Sequence, residues 1–184
     1  MKKLALLAAL VLLYSCAPLV CPEASNLQSQ YSVDNSPKSY RAKLFVRYGL
    51  LGMPMEINKD EKEYSVTGLK GELIKFTGKR ICLTSACFDL PVGPDGIIFG
   101  KVLDGDEKVE CSLGKTIFYK DEGQYVKKVI FSMNTLERVE LLDKHNGRTI
   151  SVEYPTQKVG SYYRSVKIDL GDISLVVNVD EVYF

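Results

Sequence analysis

From residue 40 to its end the chain is a succession of short segments in which apolar and polar side chains alternate, broken by Gly, Asn and Asp. A period of two puts alternate side chains on opposite faces of a strand. Such segments bury one face only by pairing and curling over it. Leu44, Val46 and Tyr48 alternate with Lys43, Phe45 and Arg47 in the first candidate strand; Met53–Asn58, Glu63–Thr67, Glu72–Phe76 and Lys79–Leu83 follow. Tyr125–Met133 and Leu136–Asp143 flank Asn134-Thr135, read as a tight turn. Arg148–Tyr154 places Ile150, Val152 and Tyr154 on one face, and Tyr162–Leu170 gathers Tyr162, Val166, Ile168 and Leu170. In Ile173–Val182, Ile173, Leu175, Val177 and Val179 share a side. The pattern predicts a mainly β domain, an antiparallel meander forming an incomplete β-barrel that hides its edges. One short helical segment is expected at Pro94–Val102, weakened by Gly96 and Gly100.

The amino terminus carries a different signal. Lys2 and Lys3 precede an unbroken Leu, Ala and Val run from Leu4 to Leu13, and then comes Tyr14-Ser15-Cys16. A basic start, an apolar stretch and a small residue before the cut describe a secretory signal peptide. The run is shorter than the roughly 20 apolar residues needed to span a bilayer. Leu13-Tyr14-Ser15-Cys16 resembles the lipobox of bacterial lipoproteins, which implies cleavage before Cys16 and acylation of that cysteine. Residues 1–15 are thus expected to be removed. Residues 16–39, rich in Ser, Asn, Gln and Pro, are expected to be a flexible tether, and residues 40–184 the β-rich domain. Ala17 follows the cysteine where an acidic residue would favour the inner membrane, so the expected location is the outer membrane, facing the periplasm.

Composition excludes several classes. With 24 basic and 23 acidic side chains the formal charge is +1, which gives no broad footprint for nucleic acid. Beyond Cys16 four cysteines remain, Cys21, Cys82, Cys87 and Cys111. In an oxidising exported setting they suggest disulfides, with three connectivities open. Cys21 sits in the tether, leaving Cys82, Cys87 and Cys111 as the candidate bridge residues. A thiol-based redox role would need a reactive Cys82 or Cys87, and these do not form a C-x-x-C pair.

No catalytic residue, metal ligand set or cofactor is expected. The single histidine, His145, lies in Asp143-Lys144-His145-Asn146-Gly147, a surface turn sequence. No nucleophile elbow, phosphate loop or zinc spacing is present. Asp104, Asp106 and Glu107 cluster without the order of a calcium loop and read as a solvated turn.

One segment is unusual. Gly49-Leu50-Leu51-Gly52-Met53-Pro54-Met55 joins the first two candidate strands and is apolar where a loop is normally polar. Leu50, Leu51, Met53 and Met55 are therefore candidates for a contact with membrane or cargo, the alternative being that they fold under the barrel as core. Leu44-Phe45-Val46-Arg47-Tyr48-Gly49-Leu50-Leu51-Gly52, continuing to Met55-Glu56-Ile57, is similar to the strand-loop-strand of LolB-like outer-membrane lipoproteins. Their Pro-Leu-Gly core here reads Leu50-Leu51-Gly52. Leu90-Pro91-Val92 with Ile97-Ile98-Phe99-Gly100, and the C-terminal meander, resemble the same family. The resemblance implies a LolA/LolB-like incomplete barrel with an apolar cavity for lipoprotein acyl chains. It also implies a protruding leucine, Leu50 or Leu51, that delivers cargo to the bilayer. The expected function is a lipid-anchored, non-enzymatic protein that binds acyl chains or assists lipoprotein insertion into the outer membrane. The alternative is an envelope assembly or scaffold lipoprotein that binds a protein partner.

Overall fold

The computed structural model describes residues 21–61, 63–68, 74–83, 86–112 and 114–184. Cys16 and the expected signal segment 1–15 lie outside the described residues. The large sheet takes β1 (Ser39–Tyr48), β2 (Leu51–Asp60) and β3 (Glu63–Gly68) from the first half of the domain. From the second half it takes β7 (Lys108–Ser112), β8 (Lys115–Glu122), β9 (Tyr125–Ser132), β10 (Thr135–Asp143), β11 (Thr149–Glu153), β14 (Ser165–Asp169) and β15 (Ser174–Tyr183). These ten strands are antiparallel in the order β3-β2-β1-β15-β14-β11-β10-β9-β8-β7, so β3 and β7 are edges and the barrel is incomplete. Two meanders are joined where β1 pairs with β15, Val46 standing opposite Val177.

That order forces the next feature. The chain between β3 and β7 must travel from one edge of the sheet to the other. On the way it forms a small sheet of β4 (Ile74–Thr77), β5 (Arg80–Leu83) and β6 (Ala86–Asp89), then the short helix Pro94–Phe99. All six helical residues are buried. The helix stops earlier than the sequence suggests because Gly100 takes a left-handed φ of +69°, and a side chain there would meet the Tyr163 ring at 2.7 Å. A further pair, β12 (Lys158–Val159) and β13 (Tyr162–Tyr163), forms a separate hairpin.

The expected tether is the main correction to the domain plan. From Cys21 onward this stretch is part of the folded domain. Ala24–Tyr31 is an α-helix, α1, so the helix Pro94–Phe99 is α2. Leu27 and Tyr31, four residues apart on one helical face, are buried in the core, and Tyr31 stacks edge-on with Phe131 at 4.8 Å. A 3-10 turn at Val33–Asn35 follows, and Val33 N–H donates to the Leu103 carbonyl at 2.9 Å. Cys21 is bonded to Cys111 of β7, so it is not a lone tether thiol. Two anchoring side chains and one bridge therefore outweigh a polar composition.

Turn chemistry explains a second correction. The β9–β10 turn is Met133-Asn134, one residue earlier than read, with φ of 46° and 64°. A two-residue hairpin that follows the sheet twist needs positive φ at both positions, and asparagine tolerates it.

Candidate functional site

The concave face of the sheet is roofed by α2 and the β4–β6 sheet. Strand alternation in β2 turns Met55, Ile57 and Lys59 inward. Met55 and Ile57, with Leu44 of β1, Leu175 of β15, Ile81 of β5 and Ile97 of α2, help line a small, wholly apolar cavity of about 20 Å³. Ligand pockets run to roughly 300–1,000 Å³, and about 10–15 Å³ is room for one water. The cavity is therefore far smaller than a ligand pocket.

Lys59, next inward along β2, ends the apolar row. Its ammonium donates to Asp95 of α2 at 2.6 Å, and the Tyr40 hydroxyl of β1 donates to the same carboxylate at 2.9 Å. Burial, then the Asp95 charge, pushes the Tyr40 hydroxyl far above its ordinary range, and the same two causes raise Tyr64 beside it. Both phenols therefore stay neutral donors. An ion pair this deep gains little net stability over an apolar contact, but losing one partner is costly. It ties the roof helix to the sheet at a definite register. Tyr154 adds a second tie, its hydroxyl donating to the Gly96 carbonyl at 2.8 Å.

Beyond the ion pair lies an open cleft of about 280 Å³. Lys127 reaches it from β9, also from an inward position, donating to the Val102 carbonyl at 2.6 Å and to Asp104 at 3.0 Å. Burial alone would raise the Asp104 carboxyl, but Lys127, Lys79 and Lys120 hold it below the usual carboxylate range. The acidic turn is answered from within the chain. Glu107 accepts the Asp104 and Gly105 N–H groups at 2.6 and 2.8 Å, and Asp106 pairs with Lys120 at 2.9 Å.

The structure separates the four residues of the apolar segment. The β1–β2 connection is only Gly49-Leu50, with Gly49 at φ +57°. Leu50 is fully exposed at the tip, Leu51 is 63% exposed and Tyr48 46%. Met53 is half-buried against the core and Met55 is core, because β2 begins at Leu51 and its alternation turns both inward. The exposed side chains among these four are thus Leu50 and Leu51, and Met53 and Met55 are not part of a loop. Cys82 and Cys87 stand opposite each other in β5 and β6 and are bonded. His145 is exposed in its turn, where its N–H donates to the Asp143 side chain at 2.8 Å.

Sequence reasoning missed Lys59, Asp95 and Lys127. One signal was present: Lys59, two residues beyond Ile57 and four beyond Met55, keeps the inward register of an apolar strand.

No helix among the described residues is long and apolar enough to cross a membrane. Neither a protein-family model nor a curated protein matches the sequence significantly. Solved structures do match. A LolA superfamily protein from Nitrosomonas europaea aligns with 88% of this chain and 93% of its own at 11% identity, with a TM-score of 0.51. A proposed outer membrane lipoprotein-sorting protein domain from Vibrio parahaemolyticus aligns with 88% of this chain and 90% of its own at 11% identity and a TM-score of 0.47. The likeness shows the fold: the chain has a LolA/LolB-like fold, an open antiparallel half-barrel.

Proposed function

We propose that this chain is an envelope lipoprotein, acylated on Cys16 at the outer membrane, that shelters an acyl chain under its roof and assists lipoprotein insertion into the bilayer. The observation that carries this reading is the cavity between sheet and roof, lined by apolar side chains alone. Its walls suit hydrocarbon and offer a polar guest no partner. The Leu50-Leu51 tip supports the second half of the reading, as an apolar point able to enter the bilayer surface. No proton transfer or covalent step is needed, so the protein acts by binding. Leu51→Glu is expected to abolish lipoprotein delivery while leaving the melting temperature within a few degrees of the parent. Normal sorting of lipoproteins by a folded Leu51→Glu protein would overturn the delivery role.

The small size of the cavity favours a second reading, an assembly lipoprotein that holds a protein partner through the same tip. A stoichiometric protein co-purifying with the native chain, with no lipid present, would select it.

A further inference from the structure

The cleft outside the ion pair has a charge that apolar binding leaves unused. Among the described residues its walls carry four lysines, Lys59, Lys79, Lys101 and Lys127, against two aspartates, Asp95 and Asp104. Lys59 is matched by Asp95 at 2.6 Å and Lys127 by Asp104 at 3.0 Å, and Asp104 is shared further with Lys120 at 3.8 Å. A formal excess of two positive charges is left on the walls. Lys101 reaches a neutral group, the Gln30 carbonyl at 2.8 Å. Burial lowers its ammonium from the ordinary lysine range. Nearby, Lys158 lies over the Tyr31 and Tyr163 rings at 4.9 and 5.2 Å, and burial followed by the Lys101 charge pushes it down to about 8. The neighbourhood is cationic and partly desolvated, which strengthens attraction for an anion.

The cleft also adjoins the cavity. On β2, Ile57 lines the cavity and Lys59 the cleft; on α2, Ile97 lines the cavity and Asp95 the cleft. Two residues of strand span about 7 Å. A guest with an anionic end and an apolar tail therefore meets both environments in one step, separated by the Lys59–Asp95 pair.

We propose that this cleft seats the anionic headgroup, phosphate or carboxylate, of a single-chain amphiphile whose tail occupies the apolar cavity once the roof lifts. This rests on the acyl-chain reading above and adds the class of ligand. Negative charge supplies a partner for the lysine excess left among the described residues, and the short distance to the cavity fixes headgroup and tail in one molecule.

The test is titration of the full chain, below the micelle threshold, with lysophosphatidylglycerol and lysophosphatidylcholine of the same acyl length. Glycerol 3-phosphate serves as the tail-less control. The anionic amphiphile is expected to bind at least fivefold more tightly than the zwitterionic one, with glycerol 3-phosphate far weaker than either. In Lys79→Ala/Lys101→Ala the ratio should fall towards one. Lys79→Glu, on an exposed turn where folding is insensitive to charge, should lower the ratio by itself. Equal affinity for the two amphiphiles in the unaltered chain would overturn the headgroup site and leave acyl-chain binding standing. Binding of glycerol 3-phosphate as tight as that of the anionic amphiphile would overturn it in favour of a site for free phosphate. No binding of either amphiphile would overturn this inference and the acyl-chain reading together.

Discussion

In the ten-stranded sheet, Val129, Phe131, Val139, Val152, Val166 and Ile168 stand on neighbouring strands with no exposed surface at all. The β4–β6 sheet has strands of four residues and, among its described side chains, buries Ile81 fully and Phe88 only partly. Each fully buried apolar side chain contributes on the order of 1.5–3 kcal/mol, so among the described side chains the large sheet holds far more of this stabilisation than the small covering sheet. Between the two is α2, with Ile97, Ile98 and Phe99 buried and its Asp95 bound to Lys59. The contrast teaches where this fold can open. Parts with few buried contacts open at low cost, and here those parts cover the cavity.

The largest expected effect lies in the sheet. Phe131→Ala removes a ring that touches both Tyr31 and Phe118, and should cost about 3–5 kcal/mol in urea denaturation. A loss below about 1 kcal/mol would show that the sheet core is not the stable half. At the joint, Lys59→Ala leaves the Asp95 carboxylate buried without its cation, and should cost about 3 kcal/mol. An unchanged denaturation midpoint would remove the ion pair from the account of how the roof is held. The smallest free energy belongs to the roof. Hydrogen exchange should find amides of β5 and β6 exchanging at least about tenfold faster than those of β9 and β10, through openings that leave the large sheet intact. Equal protection in the two sheets would mean that the molecule opens only by unfolding.

Much of the sheet was legible because its strands bury one face each, and a half-buried strand writes its register in alternate residues. Val152 with Tyr154, Val166 with Ile168 and Leu170, and Leu175 with Val177 and Val179 all face the core as the alternation required. The β6, β7 and β8 strands were not read. The edge strand β7, Lys-Val-Glu-Cys-Ser, buries none of its residues fully and so carries a faint pattern. The helix α1 was hidden for another reason. Ala-Ser-Asn-Leu-Gln-Ser-Gln-Tyr has poor helix formers and two core contacts, and its place depends on Phe131 and Cys111, about a hundred residues away in sequence. For the candidate site, the exposed leucines were legible as an anomaly of composition. The Lys59–Asp95 pair joins residues 36 apart in different elements, which no local pattern records.

The segment that covers the cavity is joined to the sheet at both ends, to β3 on one side and β7 on the other. Ile81 and Ile97 therefore behave as a guest that never leaves. A group held by short connections is present at an effective concentration in the millimolar range, whatever the concentration of outside competitors. Under the proposed reading an amphiphile would have to displace this resident, and its apparent affinity would be its intrinsic affinity reduced by the fraction of time the cover stands open.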